Sequence, residues 1–598
     1  MTSVLNDLVL YYDQKAEDPI DALPKRNRSR ERVCWEFCLN DSGELVSVVP
    51  LSQEGSKKRG TDMLVPEHIT RSSGVSPYFL VDKSAYFLGL DAKRGEKLYA
   101  AASELHHTVL DGVDDPGAIA VLAFFDAEPS SHAISQELLE QLTGDSAFIA
   151  FRFLPDGTLV HERSDVLDAW DEYCNCDTQG LPIHCSVTGK VDIAATLFPQ
   201  VSGFPGATSA GASLVSFNKD AFCSYGRSSN DQCVNAQITA ETAFKAGTAL
   251  NYLVKTPGHR VSIAADQMIF WTDAESTECD ELAQLIFNLD KQFSANKEDA
   301  AKLEEIKHKL QQIRKGVPIE GLQRDTRFHL LSVAPNAGRL SARFYEVGTM
   351  GQLEDNFRLY LQDTEMVGLR GQSLRPGSFN YYLRLTAAFN ESSNIPSTLL
   401  SNTMRAALKG FPLPDALYQG ALQRMRVDKG FVRSSRAPRD VSGDRAALMR
   451  AYLIRKARHS KNSDKERSLT VALNEDNTNV GYLLGRLFAI LEKAQKDAVN
   501  PSATIRDRYI GAASSNPSTV FPQLLKTAQY HISKANSSVY IDRLIQSVMD
   551  KIDGTGGLPK TLGYDDQGMF FIGYYQQKTA IYIKRDQASA EVVEETEE

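Results

Sequence analysis

Val201 to Tyr225, VSGFPGATSAGASLVSFNKDAFCSY, is a glycine-, alanine- and hydroxyl-rich stretch in the middle of an otherwise ordinary sequence. Small side chains at this density let a backbone come close to a flat or anionic surface. Leu214, Ser216 and Asn218 alternate with Val215 and Phe217 and close the stretch with strand-like periodicity. Gly206 to Ser213 has the glycine spacing of a phosphate-cradling loop, but Ala212 stands where the phosphate-reaching lysine belongs, which argues against nucleotide hydrolysis. Ala207-Thr208-Ser209-Ala210-Gly211 lacks the first glycine of a nucleophile elbow. The Gly203-Phe204-Pro205 before it is no buried strand, so no nucleophilic serine is expected.

Around this stretch the chain has 598 residues, 42% hydrophobic and 24% charged, enough for several domains with full cores. No apolar run approaches the roughly 18 to 20 residues of a membrane helix, and the start, MTSVLNDLVLYYDQKAEDPI, carries acids and tyrosines rather than a secretory pattern; the expected location is the cytoplasm. Eight scattered cysteines are too few for a disulfide framework. Cys174, Cys176, His184 and Cys185 have zinc-binding side chains, but their spacing departs from C-x-x-C and H-x3-5-H patterns, so thiols packed near a turn are expected, with no metal and no cofactor.

A net charge of −10 argues against a uniformly basic nucleic-acid binder. Local patches remain effective, because a charge reaches only about 8 to 10 Å at physiological salt. Lys25, Arg26, Arg28, Arg30 and Arg32 make one patch and Lys57, Lys58 and Arg59 another. Between Arg424 and Arg467, fourteen Lys/Arg face five Asp/Glu. Lys57, Lys58, Arg59, Arg433, Arg436, Arg439, Arg455, Lys456 and Arg458 are therefore candidate phosphate contacts. Basic runs are also commonly no more than a solvated face.

The patterning gives an α+β fold: a large mixed N-terminal domain to about residue 280, a mostly helical basic region over 281–470, a C-terminal helical bundle over 471–585 and an acidic unstructured tail, 586–598. Leu5, Leu8, Val9 and Tyr12 predict a short helix broken at Asp18-Pro19. Val33, Trp35, Phe37 and Leu39 alternate up to the turn Asn40–Gly43, and Leu45 to Leu51 returns, a hairpin; a second is expected over Ala147–Glu162. LYAAASELHHTVL reads as a helix, with His106 and His107 at its surface or at an interface, and Asp114–Gly117 reads as a turn. Leu303, Ile306, Leu310 and Ile313 form a helical stripe. FHLLSVAPNAGRLSARFYEV restores strand character, with Arg339 and Arg343 available to phosphates or neighbouring acids. Breaks at Asn500-Pro501, Asn516-Pro517 and Gly554–Gly557 separate the bundle helices, whose basic residues Lys493, Lys496, Arg506, Arg508, Lys526 and Lys534 are compatible with holding a displaced strand.

GATSAGASLVSFN, followed by FCSYG, Asn235-Ala236 and ETAFKAGTALNYL, resembles the signature segment of the large subunit of type I-C CRISPR surveillance complexes, the Cascade effectors that carry a guide RNA to double-stranded DNA. Thr70–Val75 with FLVDKSAYFLGL, LSVAPNAGRLSARF from Leu331 to Phe344, and the run from Asn477 to Lys534 resemble the same family in the same order. The resemblance implies a non-enzymatic protein of antiviral defence that recognises the motif flanking the target (the PAM), helps open the duplex, stabilises the R-loop and delivers it to a helicase-nuclease. Its partners would be crRNA, target double-stranded DNA, the backbone and crRNA-processing subunits, and a small subunit made from the C-terminal part of the same message, starting at Met449 or near Val471. It also implies Arg71, Ser72, Ser73, Ser209, Ser213, Asn218 and Lys219 as minor-groove contacts beside the motif; on residue chemistry alone, each serine serves equally well in a tight turn. Two rival classes are a metal-dependent nuclease, for which the sequence offers no H-E-x-x-H, no D-x-D with nearby histidines and no paired carboxylates in a convincing frame, and a helical scaffold without DNA contact.

Overall fold

The computed structural model describes residues 3–18, 23–51, 60–68, 75–132, 134–143, 147–176, 180–263, 266–274, 276–296, 299–428, 439–534 and 538–597. It is α+β and divides into two compact units: Met1–Lys255 with Pro335–Ser341, and Thr256–Ala334 with Ala342–Glu598.

In the first unit, β1 (Arg28–Leu39), β2 (Leu45–Pro50), β3 (Thr61–Pro66), β4 (Val81–Lys83), β5 (Phe148–Phe153) and β6 (Thr158–Leu159) form one sheet ordered β2-β1-β5-β4, with β3 on β1 and β6 on β5. β1 is long enough to pair with β3 along Arg28–Val33 and with β2 along Trp35–Leu39. β5 lies parallel beside it, Phe37 opposite Phe151. Phe37, Phe87, Phe124 and Phe151 are fully buried around this pairing, each contributing about 1.5–3 kcal/mol of burial. The helices Gly95–Leu110 and Pro116–Asp126 supply part of that core.

The second of these helices corrects the expected turn at Asp114–Gly117. Asp115 caps it by accepting from the Ala118 N–H (2.9 Å), and Pro116 occupies the first turn, where a missing N–H costs nothing. His106 corrects the expected surface or interface histidine. Its ring is fully buried, Nε2 accepts from the Leu80 N–H (2.9 Å), Nδ1 lies 2.6 Å from the Ala102 carbonyl, and burial pushes its pKa down to about 4. A short ribbon, β7 (Pro182–His184) with β8 (Val191–Ile193), follows, and the helix Ala240–Lys255 packs on the N-terminal helix Val4–Ala16, Tyr12 edge-on to Phe244 at 5.8 Å.

The second unit holds β11 (Arg260–Ile263), β12 (Asp266–Thr272) and most of β13 (Arg327–Asn336) and β14 (Arg339–Thr349), neighbours in that order, while Pro335–Ser341 at the turn of the last two belongs to the first unit. Pairing of β12 with β13 draws residues 256–280 into this unit. The predicted stripe forms the helix Ala300–Lys315, with Leu310 and Ile313 buried. From Met350 onward the chain is helical, and the regions read separately as 281–470 and 471–585 share one hydrophobic core. Its centre is the crossing of Val480–Val499 with the last helix, Tyr564–Glu597, where backbones touch: a Cβ on Gly485 would lie 1.9 Å from the Phe570 carbonyl oxygen. The backbone of the acidic tail continues that last helix to Glu597, in place of the unstructured tail expected. No described helix is long and apolar enough to cross a membrane.

Candidate nucleic-acid interface

Two short antiparallel strands, β9 (Gln200–Val201) and β10 (Ala212–Ser213), make residues 202–211 the loop of a hairpin. Gly203, Gly206 and Gly211 turn it with φ of 89°, 88° and 107°. At Gly211 the need is spatial as well as torsional, since a Cβ would sit 2.8 Å from the Val201 carbonyl oxygen. Asn251 fastens the base of the loop, accepting from the Ser202 N–H (3.1 Å) and donating to the Gln200 carbonyl (3.0 Å).

The turn of the β13–β14 hairpin, which belongs to the same unit, braces the loop from a second direction. The Thr208 N–H donates to the Ala337 carbonyl (3.3 Å) and the Ser213 N–H to the Gly338 carbonyl (2.9 Å). Two stretches more than a hundred residues apart in sequence, GATSAGASLVSFN and PNAGRLS (Pro335–Ser341), thereby form one surface. What faces outward is small and polar: Gly206, Thr208, Ser209 and Ala210 are exposed.

The sequence candidates separate on this surface. Ser209 is at the exposed tip, and Lys219 is exposed just before the turn Asp220–Phe222. Asn218 is exposed and its side-chain oxygen accepts from the Arg339 guanidinium (3.0 Å), so Arg339 is drawn to the same rim. Ser213 requires correction: it is buried, and its hydroxyl donates to the Val215 carbonyl (2.8 Å) with the Phe198 carbonyl at 3.2 Å, leaving nothing to face a ligand. Arg71, Ser72, Ser73, Lys57, Lys58, Arg59, Arg433 and Arg436 lie outside the described residues.

Several described members of the basic run are tied to acids or carbonyls of the second unit. Asp363, itself buried, accepts from Arg455 (2.9 Å) and from Arg458 (2.9 Å), and Arg458 also reaches Glu466 (2.9 Å). Arg455 is buried and donates further to the Ala406 carbonyl (3.2 Å). The Arg439 side chain, 10% exposed, packs over the Tyr381 ring (3.8 Å), with Asp444 at 3.1 Å. Arg450 donates to the Leu469 and Asp363 carbonyls (2.8 Å each), and Lys456 meets Asp565 at 2.8 Å. Buried guanidiniums held this way wire the helices together, which corrects the reading of Arg439 and Arg455 as outward phosphate contacts. In the bundle, Lys496 pairs with Glu492 (3.2 Å) and Lys493 with Asp497, whereas Arg508, Lys526 and Lys534 are exposed.

Sequence reasoning passed over two exposed aromatics close behind the hairpin, Phe222 and Tyr225; the only signal was the phrase FCSYG itself. Of the four zinc-type residues, Cys185 is buried with Sγ 3.3 Å from the Thr242 hydroxyl, His184 is exposed on β7, Cys174 is half-buried, and the Cys176 side chain lies outside the described residues.

A family model described as CRISPR-associated protein (Cas_Csd1) matches residues 8–582. No curated protein matches the chain.

Proposed function

We propose a function from one established premise: the chain belongs to the Cas_Csd1 family of CRISPR-associated proteins. It acts as the non-catalytic large subunit of a type I-C RNA-guided surveillance complex, reading the motif beside the target, helping to open the duplex, stabilising the R-loop and recruiting a helicase-nuclease. Pairing by the guide reads the target sequence, so the protein needs to recognise only a few base pairs and the backbone. The observation that carries the proposal is the braced 202–211 hairpin, which turns a narrow edge of glycine, alanine and hydroxyl groups outward with Asn218 and Lys219 at its rim. Such an edge fits a narrow minor groove, where a backbone of small residues approaches closely, small donors reach the base edges and Arg or Lys is drawn to the negative potential. Lys57, Lys58 and Arg59 supply phosphate contacts that strengthen binding without sequence preference.

The C-terminal bundle supports production of a separate small subunit. A start near Val471 falls in the segment before Val480–Val499 and leaves every bundle helix whole, whereas a start at Met449 falls inside the helix Val441–His459, where Met449 is fully buried. Expression of the single reading frame then yields a shorter C-terminal species whose N-terminus lies near residue 471; its absence would remove this element of the proposal. The main test is co-purification. The chain is expected to bring an RNA of defined length and the backbone and processing subunits with it. Purification as a free protein, or metal-dependent DNA cleavage abolished by a point substitution, would favour the scaffold or the nuclease instead.

A further inference from the structure

The segment after the hairpin, residues 217–232, is short of regular structure yet heavily cross-braced. The Asp220 carboxylate accepts from the Ser229 N–H and hydroxyl, both at 2.7 Å, and Asp231 accepts from the Ser228 N–H at 2.6 Å. The Gln232 amide clamps Phe217, accepting from its N–H (3.2 Å) and donating to its carbonyl (2.8 Å). Asn235 donates to the Ser228 carbonyl (2.9 Å), and Arg227 is turned back onto the Val234 carbonyl. A segment held by so many polar contacts is built to keep a shape.

That shape displays two rings. Tyr225 is 100% exposed and Phe222 55%. Tyr225 and Gly226 both have positive φ, 58° and 74°, and the Arg227 N–H closes the turn on the Ser224 carbonyl (3.3 Å), the geometry of a type I′ turn. Asparagine or glycine suits the first central position of such a turn, and a tyrosine there is strained. An aromatic ring that makes no contact with its own chain does nothing for folding at this position, so the strain points to something outside the chain that the ring holds.

Charge and area select the occupant. The two acids of the segment, Asp220 and Asp231, are taken up by internal donors, and the Ser229 donors hold Asp220 below the usual carboxylate range. Lys219 is exposed beside them, with Arg339 on the neighbouring rim. Two rings and one ammonium fall far short of the roughly 800 Å² per partner of a stable protein interface. A single nucleobase needs only one planar face and a nearby cation.

We propose that Tyr225 stacks on an unstacked base of a single-stranded nucleic acid, with Phe222, exposed three residues before it, as a second stacking face and Lys219 on a nearby phosphate. This stacking site rests on the functional reading above and extends it: the hairpin meets paired nucleic acid, and the segment behind it receives the first unpaired base. The base comes either from the guide RNA or from a DNA strand of the opened target.

The test uses the full-length chain in the ribonucleoprotein with which it co-purifies. Iodouracil is placed in turn in the guide RNA and at the unpaired positions next to the flanking motif in each DNA strand, and photo-crosslinks are mapped by mass spectrometry. The variants are Tyr225→Gly, which keeps the turn and removes the ring, Tyr225→Phe, which keeps the ring, and Phe222→Ala. A crosslink to Tyr225 or Phe222 from one of the three strands is expected, and that strand identifies the source. Tyr225→Gly should weaken binding of a target opened beside the motif by about 5- to 100-fold without lowering the melting temperature, with Tyr225→Phe close to wild type. Wild-type binding that Tyr225→Gly and Phe222→Ala leave unaltered, or loss of a protein subunit without any crosslink, overturns the stacking site and leaves the functional reading standing. A wild-type complex that binds no nucleic acid overturns both.

Discussion

Gly211 and Gly206 provide a controlled pair for asking whether the hairpin is held open by backbone contact. Both have positive φ, 107° and 88°. An added Cβ at Gly206 meets open space, so Gly206→Ala carries only the conformational cost of about 1–2 kcal/mol, partly offset by a stiffer unfolded chain. At Gly211 the Cβ would sit 2.8 Å from the Val201 carbonyl oxygen and 3.0 Å from its carbon, atoms of the paired strand that cannot rotate away. Relief requires β9 and β10 to part, sacrificing pairing hydrogen bonds worth about 0.5–1.5 kcal/mol each. Gly211→Ala should therefore cost ~3–4 kcal/mol locally and Gly206→Ala ~1 kcal/mol. Hydrogen exchange of the peptide spanning 198–216 in the full-length protein reads this directly: the Ser213 amide, bonded to Gly338, should exchange roughly 150- to 900-fold faster in Gly211→Ala and by less than about tenfold in Gly206→Ala. Equal exchange in the two variants would refute the close-approach argument.

Asp363→Asn should destabilise the second unit by about 3–5 kcal/mol in urea unfolding, because it leaves the buried Arg455 and its neighbour Arg458 without their anion; Lys456→Ala, whose pair with Asp565 is half-exposed, should cost under about 1 kcal/mol. Acidification should loosen the first unit before the bundle. His106 stays neutral in the fold down to about pH 4 because it is buried, whereas the unfolded chain takes up its proton near 6.5, so its share of stability falls as pH drops between those values. Burial raises the Glu492 pKa, but Lys578, the Tyr574 hydroxyl and Lys496 outweigh it and hold the carboxylate at about 2. Its contribution, ~3 kcal/mol, is present above 4.5 and lost only as pH falls toward 2. Limited proteolysis from pH 7 to 4 should release fragments of 1–255 before fragments of 480–583, and the reverse order would contradict the assignment. Replacing Lys57, Lys58 and Arg59 by alanine should reduce the salt dependence of DNA binding, by about two to three in the log–log slope, without changing melting; an unchanged slope favours a scaffold.

Local patterns in the sequence carried a long way. The N-terminal helix, the β1–β2 hairpin and its Asn40 turn, the stripe of Ala300–Lys315 and the breaks between bundle helices all follow from periodicity and from residues that begin or end elements. Pairing across distance left no such trace. Nothing local to Phe37 indicates that Phe151 lies parallel beside it, and nothing near Arg455 names Asp363, almost a hundred residues away, as its partner. The sign of the basic run was therefore visible, while the inward direction of Arg445, Arg450 and Arg455 was not. Asp115-Pro116 shows a second kind of failure: the same dipeptide serves a turn or a helix start, and PGAIAVLAFFD, buried along most of its length, has too little polar surface to display a helical period. At the candidate interface the glycine stretch was legible as a tightly turning segment of small residues. Its bracing by residues 335–341 and the display of Tyr225 depend on hydrogen bonds and dihedral angles that composition does not encode.

The central claim is that this chain belongs to an RNA-guided complex and reads a short motif next to the paired target. It is tested most directly by the affinity of the purified ribonucleoprotein for two duplexes that share one guide-matched sequence and differ only in the base pairs flanking it. The account predicts tight, salt-sensitive binding to one flank, weaker binding by at least about tenfold to the altered flank, and a selective loss of that difference in Gly211→Ala. Equal affinity for both duplexes, with Gly211→Ala indistinguishable from wild type, would contradict it.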